Sequence, residues 1–286
     1  SKPGPTPSEP GHPAGPTVEE LVIPSPFDYP GRAALWLPPG LGAAGGPGFA
    51  DRLVAAVWPL IDANRGRAFI LCTTLRAVAE IGRLLRLRRG GGPIEVLCQG
   101  EGARQQLLER FRSAEAAVLV GAASFWQGVD VPGDGLSLVV IDKIPFAPPD
   151  DPVFAARSRA IERAGGKGFE ALSLPQAALT LKQGAGRLIR TEQDRGVLVI
   201  GDERLRTRGY GRRLLQSLPP FTRVGSGEQA RRYLPAAGRA EPADVADVAA
   251  AADAADMAGE VPASAVGARE VGMPVAGEPG TGRKAR

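Results

Sequence analysis

The sequence is poor in the residues that carry most enzyme chemistry. Its 286 residues include one histidine, His12, and two cysteines, Cys72 and Cys98. A single histidine in a Pro/Gly-rich arm leaves no raw material for Ser-His-Asp or Cys-His nucleophiles, or for multi-histidine metal sites. Two thiols cannot ligate an iron–sulfur cluster or complete a structural zinc site. Both lie inside apolar runs, FILCTT and IEVLC, where buried reduced thiols are expected rather than a disulfide. No stretch approaches the ~18 consecutive apolar residues of a membrane span, and the opening SKPGPTPSEPGHPAGPT lacks the apolar centre of a secretory signal. The expectation is a cytoplasmic protein with no membrane partner and no metal site of its own.

Glycine and proline are abundant, at 38 and 27 residues, and proline is enriched at the ends. From Pro235 to Arg286 there is no Leu, Ile, Phe, Trp, Tyr or Cys. Such a segment cannot bury enough apolar surface to offset its ordering entropy. Residues 234–286 are therefore expected to form a disordered Ala/Gly/Pro-rich tail and residues 1–24 a disordered Pro/Gly-rich arm. That leaves residues 25–233 as a single domain. The two ends hold 6 basic and 11 acidic residues, leaving 29 and 20 in the domain, a net of +9 against +4 for the whole chain. A basic domain suits a polyanionic partner, although a solvated basic surface has the same composition.

Within the domain the apolar pattern alternates between two periods. Six short runs read as buried strands: Ala33–Leu37, Ala68–Thr73, Ile94–Cys98, Ala116–Ala122, Leu136–Asp142 and Gly196–Gly201. Helical patterns lie between most of them, including FADRLVAAVWPLIDAN, TLRAVAEIGRLLRLRR, GARQQLLERFRS and PVFAARSRAIERAG. Continuous apolar strands alternating with helices imply an α/β doubly wound, mostly parallel sheet covered on both faces. Ligands of such sheets bind beyond the carboxyl ends of the strands.

Several segments there carry more than turn residues. The run FILCTT ends in Thr73 and Thr74, and IEVLC is followed by Gln99. After AAVLVGA comes SFWQGVDVPGDG, which interleaves Ser124, Gly128 and Asp130 with Trp126 in a loop too apolar for an ordinary surface turn. The run LTLKQGAGRLIRTEQDRGVLVIGDER is the most informative. On a helix through Leu179–Ile189, Gln183, Arg187 and Arg190 fall at i, i+4 and i+7, so an amide and two guanidiniums share one face. Leu181 and Leu188 fall on another, apolar face. Gly184 and Gly186 each cost such a helix about 1 kcal/mol relative to alanine, which points to close approach of a neighbour or ligand.

The segment Gln183-Gly-Ala-Gly186-Arg187-Leu-Ile-Arg190 resembles motif VI, Q-x-x-G-R-x-I-R, of superfamily 2 helicases of the DinG/XPD type. Gly128-Val-Asp130-Val-Pro-Gly, with Asp142-Lys-Ile-Pro-Phe146 downstream, is similar to motif V of that family, FILCTT to motif IV, and SPFDY at Ser25–Tyr29 to the opening of its second lobe. The matches run in the family's order from about Ser25 to Phe221. The resemblance implies a RecA-like C-terminal lobe that closes over ATP and magnesium held mainly by an N-terminal lobe.

It also implies roles. Arg190 would be the arginine finger, with Arg187 and Gly186 beside the phosphates and Gln183 near the attacking water. Gly128 and Asp130 would couple nucleotide to nucleic acid, while Thr73, Thr74, Gln99, Ser124 and Trp126 would follow single-stranded DNA.

A helicase of this kind needs a P-loop, G-x-x-x-x-G-K-[ST], and an Asp-Glu pair for magnesium. Neither occurs in these residues, and Gly165-Gly166-Lys167-Gly168 lacks both the spacing and the hydroxyl. Asp142 and Asp202-Glu203 end strands that mimic a metal-binding strand, and they read as caps or ion pairs. The cysteines of a first-lobe iron–sulfur cluster are absent as well. The expectation is the second lobe of an ATP-dependent DNA helicase, inactive unless joined to a P-loop lobe in cis or in trans. The alternative is a non-catalytic module that binds nucleic acid or protein with the same fold. An unrelated doubly wound enzyme is a third reading, opposed by the expected lack of a phosphate-binding glycine loop after any strand.

Overall fold

The computed structural model describes residues 25–122, 125, 136–148 and 150–235. The arm, residues 236–286 of the tail, and the candidates Ser124, Trp126, Gly128 and Asp130 lie outside the described residues, whereas Leu234 is buried in the core.

Seven parallel strands form one sheet in the order β3-β4-β2-β5-β6-β1-β7. They are β1 (Ala33–Trp36), β2 (Ala68–Leu71), β3 (Glu95–Cys98), β4 (Ala117–Gly121), β5 (Leu138–Ile141), β6 (Gly196–Ile200) and β7 (Thr222–Val224). Six coincide with the apolar runs read from the sequence. The seventh is an edge strand of three residues whose exposed Arg223 interrupts Thr222 and Val224, too short to show a period.

Among the described residues the helices are α1 (Tyr29–Arg32), α2 (Phe49–Ala63), α3 (Leu75–Arg89), α4 (Arg104–Ser113), α5 (Pro152–Arg163), α6 (Leu174–Ala185), α7 (Arg204–Thr207), α8 (Gly211–Gln216) and α9 (Gly227–Arg231). A π-helical turn at Phe169–Ser173 leads into α6. Side chains alternate across the sheet. Ala34, Trp36, Ile70, Val118, Val140 and Val199 face α2, α3 and α9, whereas Leu35, Phe69, Leu119, Val139, Ile141 and Leu198 face α4, α6, α7 and α8. Each fully buried Leu, Ile, Val or Phe contributes roughly 1.5–3 kcal/mol, so both faces stabilise the sheet.

Because every strand is parallel, the sheet has one edge where strands begin and one where they end. The beginning edge of β2 and β5 is closed by buried Asn64, which donates to the carbonyls of Gly66 (3.0 Å) and Arg67 (3.2 Å) and accepts from the Ser137 hydroxyl (2.8 Å). Gly66 has φ +78°, and a Cβ there would stand 2.6 Å from the backbone of Ala117, so no other residue fits. This bracing holds the strands in register and presents their far ends as a fixed row.

Candidate functional site

The carboxyl ends of β3, β4, β2, β5 and β6 stand side by side in that order. Gln99 follows β3, and its Oε1 accepts the Ala122 amide beyond β4 at 2.6 Å. Beyond β2, Thr73 donates its amide to Asp142 Oδ1 (3.0 Å) and its hydroxyl to Asp142 Oδ2 (3.2 Å). The Lys143 amide also donates to Oδ1, at 2.7 Å. Asp142 is 1% exposed. Burial pushes its carboxyl up to about 6, opposed by the Thr73 and Lys143 hydrogen bonds and the Lys143 charge. Thr74 is exposed and caps α3, its hydroxyl accepting the Ala77 amide at 3.2 Å.

The second acidic strand end is also committed. Asp202 accepts the Ile144 amide (2.9 Å) and the Arg204 amide (3.0 Å), and pairs with the Arg204 guanidinium at 2.6 Å. Among the described residues no group of three or more His, Cys, Asp and Glu could hold a metal ion. Cys72 and Cys98 are buried thiols outside any disulfide. Burial raises Cys72 well above its ordinary value and Cys98 to about 11, so neither is a nucleophile at neutral pH.

One expectation about loops is corrected, and a second loop is partly explained by the core. A glycine loop does follow a strand: Gly40-Leu-Gly42-Ala-Ala-Gly45 joins β1 to α2, with φ of +74°, +72° and +75° at its glycines. It is not an open phosphate cradle. The Gly42 amide donates to Glu203 (3.2 Å), and Arg52 fills the loop by donating to the carbonyls of Leu41 (2.8 Å) and Pro47 (3.1 Å). A carboxylate already meets the Gly42 amide, so the loop lends no support to a dinucleotide enzyme. The apolar loop after β4 is partly core, since Phe125 is buried edge-on to Phe69, ring centroids 6.3 Å apart.

The Gln183–Arg190 segment differs from the expected single helical face. Helix α6 starts earlier, at Leu174, and stops at Ala185. The next bonds, Arg187 N–H to Gly184 O (3.2 Å) and Leu188 N–H to Ala185 O (3.1 Å), are of the tighter i to i+3 kind. Arg190 then leaves the helix, because Asp194 Oδ2 captures the amides of Arg190 (2.7 Å) and Thr191 (2.9 Å). Two glycines weaken the helix where these competing bonds are available. The arginines nevertheless come together, as the Arg190 guanidinium turns back onto the Arg187 carbonyl at 2.6 Å.

Leu181 and Leu188 are buried as expected, and Gln183, Arg187 and Arg190 are half-buried. Gly186 is exposed, and a Cβ there would meet only carbonyls of its own helix, at 3.3 and 3.7 Å. The segment also lies at the opposite edge from Thr73. It feeds the start of β6, since a helix linking parallel strands runs back along the sheet.

Asp142, read from the sequence as a cap or ion pair, also ties the end of β5 to Thr73 at the end of β2, a contact the sequence did not show. Its only signal is an acid closing one strand beside the hydroxyl that closes the next. A three-ring cluster of Phe146, Phe169 and Tyr210, centroids 5.2–5.9 Å apart, also stands beyond β5 and β6 with Arg204 over Phe146.

With both edges described, comparison with known proteins decides the family. Residues 57–221 match the family described as the helicase C-terminal domain. The chain belongs to that family. It is 48% identical over 217 residues to the ATP-dependent DNA helicase YoaA of Escherichia coli K12, covering 76% of this chain and 34% of the relative. It is 41% identical over 223 residues to the ATP-dependent helicase DinG of Mycobacterium tuberculosis H37Rv, covering 77% and 33%. This helicase lobe therefore spans about a third of the length of the curated relatives it matches.

An XPD helicase structure superposes with a TM-score of 0.50 at 17% identity, over 68% of this chain and 35% of that one. That likeness shows the RecA-like fold. Among the described residues no helix of the lobe is long and apolar enough to cross a membrane.

Proposed function

We propose that this chain is the second lobe of a DinG-like ATP-dependent DNA helicase, supplying the arginine finger and part of a single-stranded DNA track. The observation that carries the reading is the turn after α6. It gathers two half-buried guanidiniums at one edge of the sheet, Arg190 on the Arg187 carbonyl, on a backbone fixed by Asp194.

Two guanidiniums on a fixed turn fit the phosphates of ATP. ATP supplies the phosphoanhydride that is cleaved, and magnesium falls to the Asp-Glu pair of a partner P-loop lobe. Arg190 neutralises charge on the transferring phosphoryl group, Arg187 binds the phosphates beside Gly186, and Gln183 orients the attacking water. A finger of this kind is worth roughly 10³–10⁵ in rate, about 4–7 kcal/mol of transition-state stabilisation. At the other edge Thr73, Thr74 and Gln99 follow the sugar–phosphate backbone, joined by Ser124 and Trp126. Gly128 and Asp130 fall in the connection between β4 and β5, whose described ends, Ala122 and Leu136, lie at opposite edges of the sheet. That placement supports coupling of the two sites. The domain so assigned is residues 25–233, and its basic character suits a cytoplasmic enzyme of DNA repair.

The test uses the chain reassembled with a P-loop lobe. Arg190→Ala should abolish DNA-stimulated ATP hydrolysis while single-strand affinity largely survives. Equal loss of both would overturn the role assigned to Arg190. The net basic domain also favours a second reading, a binding module without catalysis. Such a module would bind single strands with salt-sensitive affinity and restore no hydrolysis to a P-loop lobe.

A further inference from the structure

We propose that Asp142 is a positioning residue that sets the direction of the Thr73 hydroxyl, and so decides whether Thr73 can donate to a phosphate of bound single-stranded DNA. The inference rests on the nucleic-acid track proposed above and concerns one strand end within it.

An ionised carboxylate only accepts hydrogen bonds. With Asp142 ionised, Thr73 gives it both the amide hydrogen (3.0 Å) and the hydroxyl hydrogen (3.2 Å). The half-buried Thr73 oxygen then offers a ligand only lone pairs. A phosphodiester oxygen is itself an acceptor and cannot use them. Thr74 is in the opposite state: its oxygen accepts the Ala77 amide at 3.2 Å, which leaves its own hydrogen free to point outward. Two adjacent hydroxyls of the same chemical type are thus assigned different duties by their partners. The phosphate donor with Asp142 ionised is Thr74.

Protonation of Asp142 Oδ2 reverses one bond. The carboxyl takes a proton from solvent and donates it to Thr73 Oγ1, and the threonine hydrogen is released toward the ligand. Burial already favours the protonated carboxyl, with its midpoint at about 6. Among the described residues the charged and titratable groups facing it are few. Lys143 follows it and favours its ionised form. Cys72, at the end of β2, is held neutral by burial. Asp202, at the end of β6, is paired with Arg204.

An asparagine at position 142 fits the same space. Its oxygen can accept the Thr73 and Lys143 amides, and its Nδ2 can donate to Thr73 Oγ1. Asp142→Asn therefore fixes the released orientation at every pH, while Thr73→Val removes the hydroxyl altogether.

The experiment measures affinity of the full chain for a labelled oligothymidylate from about pH 7.5 to about pH 5 at constant salt, in the parent, Asp142→Asn and Thr73→Val. One additional donor to phosphate is worth about three- to tenfold in affinity. The parent should tighten by that factor through about pH 6, beyond the drift seen in Thr73→Val, which subtracts the charging of His12 and the terminal amine. Asp142→Asn should hold the tight value throughout, also after that subtraction. Amide NMR of Thr73 supplies the structural readout. Its proton should titrate with Asp142 in the parent and stay flat in Asp142→Asn.

Binding with superimposable pH profiles in all three proteins would overturn the role of Asp142 and leave the track standing. No binding by the parent at any pH would overturn the track, and this inference with it.

Discussion

At the carboxyl edge of the sheet, Thr73, Gln99, Asp142 and Asp202 are fixed by side-chain hydrogen bonds that cross from one strand to the next. At the edge where β6 begins, Arg187 and Arg190 stand on a turn shaped by backbone carbonyls and by Asp194. The first region is complete within the lobe, and its polar groups already have partners across the strands. The second brings two guanidiniums together on a single turn of chain. A surface that must hold a nucleic-acid strand in one register gains when its side chains are held in place before binding, because less entropy is lost on association. A finger needs only a rigid base and a target supplied from elsewhere. On the function proposed above, the contrast is that between a track and half of an active site.

Substitutions can break this contrast from either side. The largest effect on stability is expected at the carboxyl edge. Asp202→Ala should strand the buried Ile144 amide and the Arg204 charge, costing about 3 kcal/mol in urea unfolding. A cost below about 1 kcal/mol would mean that this edge is less fixed than its bonds indicate. At the opposite edge, Asp194→Ala frees the amides of Arg190 and Thr191 and should cost about 1–2 kcal/mol. In the reassembled helicase it should slow hydrolysis about tenfold without changing single-strand affinity. Loss of affinity there would merge the two regions.

The smallest effect is a pH dependence. Asp142 has a folded value of about 6, against about 4 when unfolded. An acid with a raised value binds its proton more tightly in the folded state, so its contribution to stability falls as pH rises from about 4 through about 6. Between about pH 5 and about pH 7 the loss is about 1 kcal/mol. The parent should lose that much relative to Asp142→Asn, measured as the difference in unfolding free energy at the two pH values. A constant difference would show that the carboxyl does not titrate in this window.

How much of this was legible in the sequence follows from the range of the interactions concerned. The six long strands and the two-sided core were readable because local composition alone marks a strand buried on both faces. Strand β7 was not, since its pairing with β1 is set by position rather than by the Thr-Arg-Val triplet. The arginine pair was readable as a motif, but its geometry was not. Helical spacing put Arg190 on the face of Gln183, whereas Asp194 draws the chain out of the helix before Arg190 is reached. The Asp142–Thr73 contact joins residues 69 apart in the chain and leaves no periodic trace. The glycine loop after β1 shows the same limit: the strand-end reading passed over it, and its filling by Arg52 and by Glu203, distant in sequence, is set by tertiary contacts.

The central claim is that this lobe completes an active site it does not contain. Titrating a P-loop helicase lobe with the chain while following DNA-stimulated ATP hydrolysis tests that claim most directly. The rate should rise from baseline and saturate near one chain per lobe, with no turnover by the chain alone. Robust hydrolysis by the isolated chain, or a P-loop lobe whose rate is indifferent to it, would contradict the account.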